Sequence, residues 1–396
     1  MSDQSVSQKI VIEQKDIPDQ NDRFHRFSLI GWWDQSKLRN AKVLVVGAGA
    51  LGNEIIKNLA LLGIGNLFVA DLDLIENSNL SRSVLYRAKD NGSPKAKVAA
   101  ERAKEIYPDM NVHYFNGNVL YDLGIGVYRW ADVVLGGLDN REARLSINRN
   151  CWKLNKPWID GAIEQISGVA RVFAPDGPCY ECTMSDMDWQ LLNRRRSCNL
   201  LTRNEMELGK TPTTPTISSI IAGVQCQEMV KLIHGMDTLA GKGFVYNGIS
   251  TDSYIVEYQK KDDCYSHDIA DEVIELDFGA DSITVKQLLS IAKQRIGEDA
   301  ILEFNRDILE KMHCPSCGDE QEMFISMGKA TVDIAPCPKC GVNREPRMVF
   351  NVTGEEPWLD KTLKQVGIPP FDIVWARSYD KFVGFELTKD KELLFN

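Results

Sequence analysis

The chain has 396 residues, 43% hydrophobic and 26% charged, the balance of a globular protein with room for two or more domains. Its net charge of -10, with no basic tract longer than Arg194-Arg195-Arg196, argues against nucleic acid as a main partner. It contains no apolar run of about 18 residues and no signal-peptide core, so no membrane partner is expected.

The first 22 residues are mostly polar and read as a mobile arm. Val43 to Val46 is an apolar run that ends in Gly47-Ala-Gly49-Ala-Leu-Gly52. A helical stripe follows, with Leu51, Ile55, Leu59 and Leu62 on one face, and a second apolar run ends in Asp71. This is strand, glycine turn, helix, strand. Glycines are needed where backbone must approach phosphates, and the helix N-terminus supplies free N–H groups. The acid that ends the second strand suits a ribose hydroxyl pair. The pattern therefore predicts a nucleotide site.

A glycine pattern of this kind is also found in dehydrogenases. Here Asp71-Leu-Asp73 leads into Glu76-Asn-Ser-Asn79-Leu-Ser-Arg82, and Lys95 lies in a helical run from Ser93 to Tyr107. Val133 to Leu138 is another buried strand with Asp139 and Asn140 at its carboxyl end. Two cations and an acid beyond strand ends suit a triphosphate with magnesium better than a nicotinamide. Taken singly, Arg82 or Lys95 reads as a solvated charge, and Asp139 as an N-cap for the next helix.

The ten cysteines fall mostly in pairs two residues apart, which points to metal binding in a reducing, cytoplasmic setting rather than to disulfides. Cys151 lies on the helical run Asn140 to Leu154 and Cys226 on the apolar helical run Thr216 to His234, and both read as inert core thiols. Cys179-Tyr-Glu-Cys182 is a knuckle after an alternating strand, Val169 to Phe173, and needs two further ligands. Cys198 follows three arginines in a polar stretch, where positive charge favours thiolate.

In the last third, Val273 to Phe278 alternates, Thr284 to Gln287 is a capping box, and Val285, Leu288, Leu289, Ala292 and Ile296 form one helical stripe that stops at Gly297. A strand at Ala300 to Phe304 follows. Cys314, Cys317, Cys337 and Cys340 have the spacing of a closed, structural zinc ribbon with four thiolate ligands, within 313–341. Lys361 to Val366 reads as a short helix, and Phe371 to Arg377 with Lys381 to Leu387 as a terminal hairpin. The order is β-grasp-like.

On these motifs, residues 20 to 260 resemble the ubiquitin-like-modifier-activating (E1-like) adenylating enzymes and their sulfur-carrier adenylyltransferase relatives of the ThiF/MoeB type. The resemblance implies an α/β fold: a Rossmann-like adenylation domain with a mixed sheet over 23–267, then a smaller β-grasp-like α+β domain over 268–396 that carries the ribbon. It implies ATP and Mg2+ as cofactors beside two structural Zn2+ sites. Gly47, Gly49 and Gly52 would form the nucleotide loop, Asp71 would hold the ribose, Asp73 would also belong to the nucleotide site, Asn79, Arg82 and Lys95 would contact the phosphates, and Asp139 would serve the magnesium. Arg23-Phe-His-Arg26 resembles a segment whose second arginine reaches the partner subunit's ATP, so a homodimer is expected. Ser83 and Phe27 depart from the glutamine usual after each arginine.

The resemblance also completes the first knuckle with Cys264 and His267. It makes Cys198, in a crossing segment at about 184–212, the acyl-accepting nucleophile, with Cys226 the other candidate. The stretch from Thr362 to Pro370 resembles the end of catalytic subunits that activate cullin-modifying ubiquitin-like proteins, where this domain recruits a conjugating enzyme. The expected function is adenylation of a ubiquitin-like protein followed by thioester formation. The alternatives are sulfur-carrier adenylation for cofactor synthesis and, further off, a nicotinamide oxidoreductase or a non-catalytic nucleotide-sensing scaffold.

Overall fold

The computed structural model describes residues 21–190 and 212–395. The arm before residue 21 and the stretch with Cys198 lie outside them.

Eight strands form one sheet in the order β3-β2-β1-β4-β5-β6-β7-β8. These are β1 (Lys42–Val46), β2 (Asn66–Asp71), β3 (Asn111–Asn116), β4 (Val133–Gly136), β5 (Trp158–Glu164), β6 (Ser167–Phe173), β7 (Lys242–Asn247) and β8 (Asp252–Glu257). The first five run parallel and the last three antiparallel. The continuous apolar runs at β1, β2 and β4 follow from burial on both faces. Val43, Val45, Leu67, Val69, Val133 and Leu135 point to one core with helices α2 (Ala50–Leu62), α3 (Lys95–Ile106) and α6 (Pro215–His234). Leu44, Val46, Phe68, Ala70 and Val134 point to the other, with α4 (Gly126–Trp130) and α5 (Arg141–Lys153). A short α1 (Gln35–Asn40) precedes β1.

The C-terminal part builds a six-stranded sheet, ordered β11-β10-β13-β14-β9, with β12 also on β10. Its elements are β9 (Glu272–Leu276), α7 (Val285–Ile296), β10 (Ile301–His313), β11 (Glu320–Ser326), β12 (Glu345–Val352), β13 (Ile373–Ser378) and β14 (Lys381–Leu387). The first and last strands, β9 and β14, are parallel neighbours. The expected capping box at Thr284 and Gln287 forms in both directions, and the whole stripe from Val285 to Ile296 is buried. Two differences from the sequence reading stand out. The strand expected at Ala300 to Phe304 runs on to His313, because its second half pairs with β11 and β12 to carry the cysteine ribbon outward. The short helix expected at Lys361 to Val366 is a turn sequence, held by Thr362 and Gln365 bonding to each other's backbone N–H.

The two parts share one core. Phe371, Ile373, Trp375 and Phe382 pack with Leu123, Ile125 and Tyr128 of the first domain. A buried polar staple crosses the same seam. Asp372 accepts from the Ile125 N–H at 2.9 Å and from Arg306 at 2.9 Å, and Arg306 also donates to the Tyr121 carbonyl at 2.8 Å. Burial pushes the Asp372 carboxyl up, and Arg306 opposes that shift. Substituting Arg306→Met leaves a buried carboxylate without its cation. A loss of about 3–5 kcal/mol is expected in denaturant titration. Adding Asp372→Asn should recover part of it.

Candidate functional site

The site lies at the carboxyl ends of β1, β2 and β4. Gly47 has φ +95°, and a Cβ there would sit 2.5 Å from the Gly137 carbonyl oxygen. A Cβ on Gly52 would sit 1.9 Å from the Gly47 carbonyl oxygen. These two glycines therefore let the turn, the start of α2 and the loop after β4 touch backbone to backbone. Gly49 differs: its Cβ would meet nothing within 4 Å. It is the N-cap of α2 and offers no side-chain cap, so the first N–H groups of the helix have no capping side chain from it. That opening is the cradle a phosphate would fill.

Side chains hold the loop from behind. The fully buried Asn53 donates to the Ala48 carbonyl at 2.7 Å and accepts from the Leu85 N–H at 2.9 Å. The Tyr86 hydroxyl donates to the same Ala48 carbonyl at 2.6 Å and lies 3.2 Å from the Lys95 carbonyl. Burial pushes the Tyr86 phenol up, so it stays a neutral donor. Sequence reasoning had not assigned Asn53 or Tyr86 a role. The available signal was a polar residue in the buried phase of α2, one turn into the helix.

Asp71 accepts from the Ala48 N–H at 2.6 Å and from the Asp73 N–H at 2.7 Å. Desolvation raises its carboxyl to about 6, with Lys95 and these N–H groups opposing. Lys95 is buried in the first turn of α3, where the helix dipole disfavours a cation. Its ammonium pairs with Asp73 at 2.7 Å. A buried cation placed against local preference marks a functional position more than a structural one.

Two expected residues, Asn79 and Arg82, have roles in their own chain that the motif did not reveal, and a third, Asp139, does not make the helix cap. Asn79 is buried, and its side chain accepts from the Glu76 N–H at 2.9 Å as part of a capping box. Arg82 donates to the Ser78 carbonyl at 2.9 Å. Asp139 is exposed, and the cap of α5 is Asn140, which accepts from the Ala143 N–H at 2.7 Å. The loop that carries Asp139 is held from below. Arg144 bonds the Leu138 carbonyl, and it shares the fully buried Asp160 with Arg171, each Nε 3.0 Å from a carboxylate oxygen. At the other end of the chain Arg23 is tied to the Ile106 carbonyl at 2.7 Å, whereas Arg26 is exposed.

Cys179, Cys182, Cys264 and His267 converge, as do Cys314, Cys317, Cys337 and Cys340, each set with ligand atoms within 4.8 Å of one another. The first set has contacts of 3.7, 3.6 and 3.3 Å, the second of 3.5 and 3.6 Å. Tetrahedral zinc about 2.3 Å from sulfur spaces its ligands about 3.8 Å apart, so both sets fit that ion with no open position. Cys226 and Cys151 lie apart. Burial pushes the Cys226 thiol up to about 12, and Cys151 well above its ordinary value, so neither offers a thiolate.

A fold with this loop, this acid-and-lysine pair and a parallel sheet turned antiparallel after β5 defines a nucleotide-binding α/β class. The ThiF family pattern matches residues 22–266, more than half of the chain, and the chain belongs to that family. It is 31% identical over 255 residues to the SAMP-activating enzyme E1 of Haloferax volcanii, covering 62% of this chain and 88% of that protein. It is 36% identical over 170 residues to the sulfur carrier protein adenylyltransferase of Thermus thermophilus, covering 41% and 63%. Against the NEDD8-activating enzyme E1 catalytic subunit of Arabidopsis thaliana it is 40% identical over 159 residues, 36% and 34% of the two lengths. The chain thus spans less than two thirds of several relatives it matches. E. coli MccB with ATP shares the fold at TM-score 0.52 and 23% identity, over 63% of this chain and 74% of that one. No helix among the described residues is long and apolar enough to cross a membrane.

Two substitutions separate the glycines' roles. Gly52→Ala forces backbone apart, and a loss of about 1–3 kcal/mol is expected by thermal melting. Gly49→Ala should leave the melting temperature near wild type and abolish nucleotide binding in calorimetry.

Proposed function

We propose that this chain adenylates the C-terminal carboxylate of a β-grasp protein, of the ubiquitin-like or sulfur-carrier kind, using ATP and Mg2+. The observation that carries the reading is the open space at Gly49 beside Asp71, which holds the Ala48 N–H, together with the buried Lys95, whose charge acts on Asp71 and pairs with Asp73. Gly47, Gly49 and Gly52 with the start of α2 would receive the phosphates. Asp71 would accept from the ribose hydroxyls. Lys95 would exchange its Asp73 contact for phosphate oxygens, joined by Arg82. Asp139 would hold magnesium, which when bound supplies charge neutralisation on the phosphates.

The chemistry needs little acid–base help. A substrate carboxylate oxygen attacks the α-phosphorus, and pyrophosphate leaves with the bonding electron pair. Positioning and charge stabilisation lower the barrier. The product is an acyl-adenylate. A thiolate can then attack the acyl carbon and expel AMP, which gives a thioester. Cys198 is the nucleophile of this proposal, on its three preceding arginines and its place in the chain. The burial of Cys226 and Cys151 leaves those two less suited. The thioester would pass to a conjugating enzyme, with the C-terminal domain in the recruiting role. Sulfur-carrier adenylation is the second reading, and the name of the Thermus thermophilus relative favours it.

Purified chain with ATP, Mg2+ and candidate diglycine-tailed proteins should exchange labelled pyrophosphate into ATP. Lys95→Ala should lower exchange by about 100-fold or more. Cys198→Ala should spare exchange and remove the reducible adduct on a non-reducing gel. Loss of exchange with every candidate tail overturns the proposal, and survival of the adduct overturns the nucleophile.

The exposed Arg26 is proposed to act on the partner subunit's nucleotide in a homodimer. Arg26→Ala and Lys95→Ala should each be inactive alone. Mixed in equal amounts they should recover about a quarter of wild-type exchange, because only mixed pairs hold one intact site. A mixture as inactive as its parts excludes action in trans.

The raised Asp71 carboxyl also sets a pH dependence. It is protonated below about 6 and then accepts poorly from ribose hydroxyls. Nucleotide affinity should fall as pH drops through about 6, and Asp71→Asn should flatten that fall. For folding the sign is opposite: this group favours the fold at low pH and loses that contribution between its ordinary value of 3.8 and about 6.

A further inference from the structure

The loop after β4 meets the glycine turn on one side and buried side chains on the other. The Gly137 N–H donates to the Val46 carbonyl at 2.9 Å, and a Cβ on Gly137 would sit 2.9 Å from the Gly52 nitrogen. On the far side the fully buried Gln225 of α6 donates to the Gly136 carbonyl at 2.9 Å and to the Ile159 carbonyl at 3.1 Å. The buried Arg144 of α5 uses one nitrogen, Nη2, for the Leu138 carbonyl and for the Gly161 carbonyl at 3.1 Å. Its Nε donates to Asp160 at 3.0 Å. The other oxygen of Asp160 accepts from the Arg171 Nε at 3.0 Å. Arg171 in turn lies 5.1 Å over the Tyr180 ring, and the Tyr180 N–H donates to Asn148 at 2.8 Å. One guanidinium thus ties the loop after β4 to strand β5. The next residue after Leu138 is the exposed Asp139.

We propose that Arg144, aimed by Asp160, is a positioning residue that sets the Asp139 carboxylate at the mouth of the nucleotide cradle. Stability does not account for the arrangement. Taking an Arg–Asp–Arg group out of water is unfavourable, and apolar side chains of similar volume often serve as well or better. Geometry does account for it. A guanidinium is a planar fork with donors at fixed angles, so a carboxylate that fixes one edge also fixes where the other edge holds a carbonyl. The inference rests on the reading of Asp139 as the magnesium ligand. Magnesium takes carboxylate oxygens together with substrate phosphates and demands near-ideal octahedral geometry. An exposed carboxylate beside the cradle fits that donor set, and its position matters more than its presence. The cradle itself is held by glycine contacts, Asn53 and Tyr86, none of which touches Arg144.

The test uses the full chain and calorimetry with a non-hydrolysable ATP analogue, with and without Mg2+. The quantity read is the gain in affinity that Mg2+ brings. Arg144→Met should reduce that gain by about 10-fold or more, as loss of a residue that orients a metal ligand does. Its metal-free affinity should stay at the wild-type value. Asp139→Asn should lose the gain likewise, and the double variant should be no weaker than the weaker single one, because both act through one carboxylate. A purely structural role would lower the metal-free affinity and add in the double variant. Either of those results, or a wild-type gain in Arg144→Met, overturns the proposal. A wild-type gain in Asp139→Asn instead overturns the magnesium reading, and this inference with it. If Arg144→Met fails to fold, Arg144→Lys decides. It keeps a cation for Asp160 but lacks the fork, so the same loss of gain is expected, and a wild-type gain overturns the proposal.

Discussion

Everything at the nucleotide end of this molecule depends on three backbone segments touching without side chains between them. Gly47, Gly52 and Gly137 meet where the turn after β1, the start of α2 and the loop after β4 converge. A methyl group at Gly47 or Gly52 would overlap a carbonyl oxygen, so the arrangement exists only with glycine at both. Asn53 and Tyr86 then bind the Ala48 carbonyl, while the Gly47 and Ala48 N–H groups are taken by the Ala70 carbonyl and Asp71, so the open donors are those at the start of α2. The polarity of the cradle follows from which half of each peptide is already satisfied.

Helix α5 connects the two chemically rich regions. Its N-terminus is capped by Asn140 beside Asp139, and its next turn carries Arg144 onto the buried Asp160. Its last turns carry Asn148, Arg149 and Trp152 onto the first cysteine cluster. One helix thus supports the loop of a proposed magnesium ligand at one end and the first cysteine cluster at the other. The stretch that carries Cys198 begins just after this cluster in the chain. Arg141, at the start of the same helix, pairs with Asp188 at 2.9 Å.

The C-terminal domain is joined to the first by a shared apolar core and a buried ion pair, not by a bare linker. Phe371, Trp375 and Phe382 cover the second face of the nucleotide-binding sheet, a surface that parallel strands cannot leave to water. Its own core is built on α7, with the buried stripe set against Leu302, Val374, Val383 and Phe385. The cysteine ribbon sits at the far end of β10, supported by β11 and β12.

Much of this was determined by the sequence alone, because the signals are local. The strand, turn and helix around Gly47 are written in a continuous apolar run, a glycine pattern and a period-3.6 stripe within a few dozen residues. The ribbon is written in two knuckles of fixed spacing, and the capping box at Thr284 forms as read. Tertiary structure decided what depends on distant chain. The length of β10 came from partners elsewhere in the chain, from Glu320 opposite His313 to Val349 opposite Ile308, since a strand continues as long as neighbours satisfy its backbone. The short helix expected after Lys361 became a turn, because two side chains took the backbone N–H groups. The roles of Asn53, Tyr86, Asn148 and Asp160 were hidden for the same reason. A buried polar residue is defined by the group it meets, and that group is named only when the chain has closed upon it.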